Sequence, residues 1–437
     1  LDEALKQKVD VVGLSGLITP SLDEMVEVAR EMEKRKMKMP LLIGGATTSE
    51  VHTAVKIEPN YSGTTVHVLD ASLSVPMVSN LASDSHREKT AGEIRAKYEN
   101  VREQHKNRQD EKEILPFDKA RANQHKVKFD GNTFQPKKTG VFKVEPSVEE
   151  LIPYIDWTPF FLTWEMRGKY PDILKDARLG EEATKLFNDA NDLLKRISAE
   201  ELLRPRGVYG IFPANSTGED IKLYKDENRK EELAVFHCLR QQAKKRSGQP
   251  NRSLADYVAP EGSGTPDWLG AFAVTSGIGL NALVKEFDDK HDDYNSILSK
   301  AVADRLAEAF AEYLHEKVRK EVWGYGESEG LSNDELIKEK YQGIRPAPGY
   351  PAQPDHTEKI TLFRLLNATE DASIQLTESL AMMPASSVSG LYFSHPDAEY
   401  FNLGKLNKDQ VEDYAKRKEM NLEEVEKWLG PALAYDR

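Results

Sequence analysis

Among 437 residues there is a single cysteine, Cys238, which rules out an intrachain disulfide framework and any cysteine-rich zinc or iron–sulfur site. With no thiol pairing to protect, a reducing compartment, the cytoplasm, is expected. No run approaches the roughly 20 apolar residues that span a bilayer, so no membrane partner is expected. Cationic charge is in deficit as well: 60 Lys and Arg stand against 73 Asp and Glu, a formal net charge of -13. A nucleic-acid footprint needs the opposite balance. The first strand-like run is not followed by GxGxxG, which disfavours a dinucleotide, and no HExxH or HxxxH spacing occurs, so no metal site is predicted.

What is present fits two globular domains rather than one core. The first hundred residues alternate strand-like runs with helical patterns, the pattern of parallel α/β structure. VDVVGLSGL (9–17), PLLIGGA (40–46) and TVHVLDAS (65–72) are the predicted strands, separated by helices over 21–38, where Ser21 and Glu24 have capping-box spacing, and 49–57; another helix begins at Val75. From about residue 86 to 128 charges of both signs alternate with few apolar anchors, which predicts a solvated helix and linker. A boundary near Asn107 divides residues 1–107 from 108–437. The second part mixes strand-like runs at 207–213, 220–224, 233–241 and 271–275 with helices over 180–200 and 296–322. Leu298, Val302, Leu306, Phe310 and Leu314 form one face of the longer helix. The fold class expected is therefore a partial doubly wound parallel sheet followed by an α+β domain with an antiparallel sheet and long helices. The chain opens on LDEALKQK, a piece of amphipathic helix, and reads as part of something longer.

Two features carry chemistry. The loops after the three N-terminal strands, Ser15 to Ser21, Gly44 to Thr48 and Asp70 to Ser72, consist largely of small and hydroxyl-bearing residues. In open parallel sheets ligands bind outside the carboxyl ends of the strands, and glycine there lets a large planar group approach the backbone. Each loop alone is also an ordinary turn composition. The second feature is Arg345-Pro346-Ala347-Pro348-Gly349-Tyr350-Pro351. Three prolines pre-set its backbone and the arginine fork suits a carboxylate, although composition alone also fits a Pro-rich surface linker. Asp304 and Glu308, four residues apart on one helix face, are placed to present carboxylates to a ligand; two such acids are also a common solvated face. His356 and His395 are assigned hydrogen-bonding roles, and His237, in a strand pattern, a structural one.

GLSGLITPSLDEM, PLLIGGATTS, YIDWTPFF, RPAPGYPAQPDHTEK, ASSVSGLYFSHP and DQVEDYAKRK together resemble the C-terminal part of the cobalamin-dependent methionine synthases along nearly the whole chain. The resemblance implies that residues 1–107 are the C-terminal part of a cobalamin-binding domain and residues 108–437 an S-adenosylmethionine-binding activation domain. It places the tail of the cofactor, methylcobalamin, against Ser15, Thr19, Gly44, Gly45 and Ala71. Ser21 becomes the hydroxyl end of a relay to the cobalt-ligating histidine. That histidine belongs to a DxHxxG motif that this chain lacks. The resemblance further implies that Arg345 pairs with the carboxylate of S-adenosylmethionine, Asp156 with its amino group, the backbone at Ala347 and Gly349 with the nucleoside, and Tyr400 and Phe401 with the adenosine side. Tyr350 points at the sulfonium. The implied whole activity is methyl transfer from 5-methyltetrahydrofolate through cobalamin to homocysteine, giving methionine, with zinc, homocysteine and folate handled by N-terminal modules. This portion is expected to carry out reductive methylation of inactive cob(II)alamin, with a flavoprotein electron donor of the methionine synthase reductase or flavodoxin type. The alternative is a non-catalytic module that binds S-adenosylmethionine and docks the electron donor.

Overall fold

The computed structural model describes the chain apart from residues 17–20, 46, 70–72, 84–85, 111–112, 131–132 and 436–437 and the side chains of 105–110. Its contacts divide into two compact units, one of residues 1–120, 242–249 and 404–437, the other of 121–241 and 250–403.

In the first unit β1 (Val12–Ser15), β2 (Leu41–Gly44) and β3 (Thr65–His67) form a parallel sheet in that order. Side chains on a strand alternate between faces, and β2 shows it. Leu41 and Ile43 pack with Met25, Ala29 and Met32 of the helix Ser21–Lys34, whereas Leu42 packs with Val66, Leu81, Ile94 and Tyr98. Both faces being covered, β2 is apolar throughout. The charged stretch expected as a solvated helix and linker is helical from Arg87 to Asp110. Two apolar anchors, Ile94 and Tyr98, are enough to seat it, and the Tyr98 hydroxyl accepts the His67 amide N–H at 2.7 Å. Buried Gln242 joins distant segments of this unit, donating to the Leu115 carbonyl and to Asp409 at 3.0 Å and accepting from the Asn407 amide at 2.8 Å.

In the second unit β4 (Gly140–Val144), β5 (Arg206–Thr217), β6 (Asp220–Tyr224), β7 (Glu232–His237) and β8 (Asp267–Thr275) precede a two-stranded ribbon, β9 (Gln375–Leu376) with β10 (Met382–Met383), and β11 (Ser387–Tyr392). The main sheet is antiparallel, ordered β11-β8-β5-β6-β7, with β4 on β5. One edge of the twelve-residue β5 is shared, Gly207–Ile211 pairing with β4 and Ala214–Thr217 with β6. Tyr209, Ile211, Trp268, Phe272 and Val274 face one core; Val208, Phe212, Leu269, Ala271 and Ala273 face the other. The helix Asp293–Lys317 fills the first core with the five apolar residues expected of it, Leu298, Val302, Leu306, Phe310 and Leu314, each at most 1% exposed. Alanines 301, 303, 307, 309 and 311, buried beside them, let the helix approach the sheet closely. The helix Glu358–Leu366 covers the other face through Leu362, Phe363 and Leu366.

Candidate functional site

The Arg345 segment lies along the edge strand β11. The Ile344 amide donates to the Phe393 carbonyl at 3.1 Å, the Phe393 amide returns a bond to Ile344 at 3.0 Å, and the Leu391 amide donates to Pro346 at 2.9 Å. A proline offers only a carbonyl to a ladder, and here Pro346 uses it. Beyond it the chain turns: the Tyr350 amide bonds the Ala347 carbonyl at 3.2 Å, and Gly349 donates to Gln353 at 2.7 Å. Gly349 has φ +95°, and a Cβ there would overlap the His356 ring, so glycine is required twice over. Below the turn the Lys359 ammonium donates to His356 Nδ1 and to the Leu380 carbonyl, both at 3.0 Å. Burial lowers the Lys359 pKa to about 8. Burial, then the charge of Lys359, lowers that of His356 to about 4, so the imidazole is neutral.

The Arg345 guanidinium is held from the long helix. Its Nη1 lies 2.6 Å from a Glu312 carboxylate oxygen, 3.2 Å from His315 Nδ1 and 3.2 Å from the Tyr341 hydroxyl. The Arg345 amide donates to the Tyr400 hydroxyl at 2.9 Å. Burial opposes the guanidinium charge, but the Glu312 carboxylate outweighs it and holds the pKa above its ordinary value. Behind Arg345, fully buried Arg319 bonds Glu329 at 2.8 Å and lies 4.3 Å over the Tyr341 ring. His315 stacks on Tyr392 with ring centroids 5.0 Å apart. Burial and the neighbouring Arg319 and Arg345 push its pKa well below the usual value.

Glu312 belongs to a series. Asp304, Glu308, Glu312 and Glu316 recur every four residues and thus share a face of the long helix. Asp304 accepts from the Ser386 hydroxyl, Glu312 holds Arg345, and Glu316 accepts the Tyr154 hydroxyl at 2.6 Å. Partial desolvation, then the negative charge of Glu308, raises the phenol pKa of Tyr350; with Tyr350 62% exposed, solvent screens that interaction. Asp304 and Glu308 are exposed, as the solvated-face reading has it, whereas Glu312 is buried and Glu316 half-buried.

Residues 147–419 match the family model described as vitamin B12 dependent methionine synthase, activation domain. The chain belongs to the vitamin B12-dependent methionine synthase family. A solved structure described as the MetH reactivation domain bound to AdoHcy is 55% identical, with a TM-score of 0.73, and the match covers 74% of this chain and 99% of that one.

Within this activation-domain match the seven candidate residues of the second unit are unevenly gathered. Arg345, Ala347, Gly349 and Tyr350 share one turn, with Tyr400 hydrogen-bonded to its start. Phe401 is half-buried against the second core. Asp156 caps the helix Trp157–Thr163, accepting the Thr158 amide at 2.9 Å, and makes no hydrogen bond or ion pair to Arg345 among the described residues. His395 bonds the Lys128 carbonyl and the Asp397 amide, each at 3.0 Å, and His237 sits 3.1 Å from Asp220 at the end of β7. In the first unit Ser15 and Gly44 are register partners at the carboxyl ends of β1 and β2. Gly45, with φ +105°, presses so closely on the Gly16 backbone that a Cβ would overlap it. Ser21 begins the following helix. Thr19 and Ala71 lie outside the described residues. Glu312, His315, Arg319 and Tyr341 were not among the candidates. Extending the four-residue spacing from Asp304 and Glu308 reaches Glu312 and Glu316, a signal the sequence does contain.

Proposed function

We propose that the second unit binds S-adenosylmethionine along residues 345–350 and presents its methyl group to a cobalamin in the reactivation of a methionine synthase. Three pieces of geometry support the reading. The guanidinium of Arg345 suits the ligand carboxylate. Gly349, at positive φ and packed against the His356 ring, shapes the turn whose backbone is assigned to the nucleoside, and exposed Tyr350, with Glu308 nearby, forms a face suited to a sulfonium. Asp156, half-buried at a helix start, is the candidate for the ligand ammonium. The observation that carries the reading is the AdoHcy-bound relative, 55% identical over 99% of its length, since AdoHcy is what S-adenosylmethionine becomes on losing its methyl.

Residues 1–107 are assigned to the tail side of a cobalamin-binding domain, and residues 108–437 to the activation domain. Ser15, Gly44 and Gly45, small residues at the carboxyl ends of β1 and β2, are assigned to a bulky planar group, with Thr19, Ala71 and the Ser21 hydroxyl assigned to the same site. Cobalamin, when bound, supplies the cobalt that accepts the methyl together with one electron. That electron is assigned to a flavoprotein donor, and homocysteine, folate and zinc to other modules of the same protein. Among the described residues no helix is long and apolar enough to cross a membrane; the cytoplasm is the proposed compartment. The test is calorimetry with S-adenosylmethionine, followed by a methyl-transfer assay to cob(II)alamin with a chemical reductant. Binding with transfer supports reactivation, binding without transfer supports the non-catalytic docking module, and the absence of binding overturns both.

A further inference from the structure

We propose that Glu312 is the positioning residue for Arg345, fixing one nitrogen of the guanidinium so that the opposite edge, Nε with Nη2, meets the ligand carboxylate. The inference rests on the reading that S-adenosylmethionine binds here. All three side-chain acceptors of Arg345 converge on Nη1: Glu312, His315 and Tyr341. Among the described residues nothing hydrogen bonds to Nε or Nη2, which together form the fork that grips a carboxylate bidentately. A free arginine side chain must give up its rotamer freedom on binding, and holding it beforehand removes that cost.

Glu312 is built for this task rather than for contact with the ligand. Its side chain is 8% exposed, and its second oxygen faces Arg319 Nη1 at 3.9 Å. One carboxylate therefore serves two guanidiniums, and Glu329 supplies the second negative charge through Arg319. His315 completes the clamp with a definite tautomer. Arginine only donates, so Nδ1 must accept, which places the imidazole proton on Nε2, 3.4 Å from the Tyr325 hydroxyl.

The full 437-residue chain is titrated calorimetrically with S-adenosylmethionine and with its decarboxylated analogue, S-adenosyl-3-methylthiopropylamine. In E312Q, affinity for S-adenosylmethionine is expected to fall about tenfold while the analogue, which has no carboxylate to present, changes by less than about twofold. In R345A the same selectivity is lost, and E312Q added to R345A costs nothing further. Equal weakening of both ligands would mark Glu312 as merely structural, and unchanged affinity for S-adenosylmethionine would also overturn the proposal. Should E312Q melt below the assay temperature, H315F carries the test. It keeps the ring on Tyr392 but removes the Nδ1 acceptor, and the same selective loss, smaller in size, is expected; equal effects on both ligands overturn the clamp. A wild-type chain that binds neither ligand removes the functional reading itself, a result distinct from any of these.

Discussion

In the first unit three parallel strands of three or four residues end close together, and the described groups at the ends of β1 and β2, Ser15, Gly44 and Gly45, are small. The second unit has a twelve-residue central strand buried on both faces, and its candidate site is crowded with charged and aromatic groups that hold one another. The difference teaches two ways of preparing a surface for a ligand. On the proposed reading, one keeps small residues at two strand ends for a large flat molecule; the other fixes a few polar side chains in advance, so that a small zwitterion meets groups already oriented.

The largest test of the comparison is whether the units are energetically separate. Phe310→Ala, at a position with no solvent exposure, is expected to cost the second unit about 3–5 kcal/mol, and Ile43→Ala to cost the first about 2–5 kcal/mol. Denaturant unfolding followed by site-specific probes should show each substitution moving only its own unit's transition; a single shared transition would break the comparison. Next in size is a pH effect confined to the second unit. His356 has a folded pKa of about 4 against 6.5 for the unperturbed group. Between those values the unfolded chain takes up a proton that the folded chain does not, so stability falls as pH drops from 6.5 towards 4, by up to about 3 kcal/mol. Stability measured against pH should flatten in this window for H356Q, and an unaltered slope would assign the effect elsewhere.

A matched pair of glycine substitutions sharpens the contrast further. Gly45→Ala sets a Cβ against the Gly16 backbone, whereas Gly349→Ala sets it against the His356 side chain, and both impose a positive φ on alanine. Each is expected to cost about 1–3 kcal/mol in thermal melts, with Gly45→Ala the worse because backbone yields less readily than a ring. The reverse order would show that the turn around Gly349 is the more rigid. Smallest is the cap at Asp156. Asp156→Ala should cost roughly 1 kcal/mol of stability, while Asp156→Asn, also a good cap, should cost only a few tenths. If Asp156 binds the ligand ammonium, both variants weaken S-adenosylmethionine; if it only caps, Asp156→Asn binds as the wild type.

Much of the second unit's framework was legible residue by residue. Asp220–Tyr224 is a strand over the span its pattern predicts, and the helix expected over 180–200 runs from Gly180 to Ala199. The strand expected over 271–275 begins four residues earlier, at Asp267, whose charged start and following Trp-Leu-Gly obscured a run that is buried throughout. Neither β4 nor β11 was anticipated. Ser387–Tyr392 contains two serines and a glycine, poor strand formers, and becomes a strand through its pairing with β8. The charged segment after residue 86 was legible as a helix but not as a packed one, because two anchors in 24 residues give almost no periodic signal. In the candidate site the turn from Arg345 to Tyr350 stood out by its prolines and glycine. The groups behind it did not, since four acids on one helix look the same to a sequence whether they face water or an arginine.

The sequence by itself determined what is local: the apolar face of the long helix, the alternation of strand and helix in the first hundred residues, and the pre-set backbone of the proline-rich turn. These follow from residue spacing and from the φ restriction of proline, which act within a few residues. Only the tertiary structure decided that Glu312 meets Arg345, 33 residues away, with Arg319 behind it, and that β5 shares one edge between two partners. The strength of a charge pair depends on the distance and the water left between its members, and both are set by how the helix and the sheet pack.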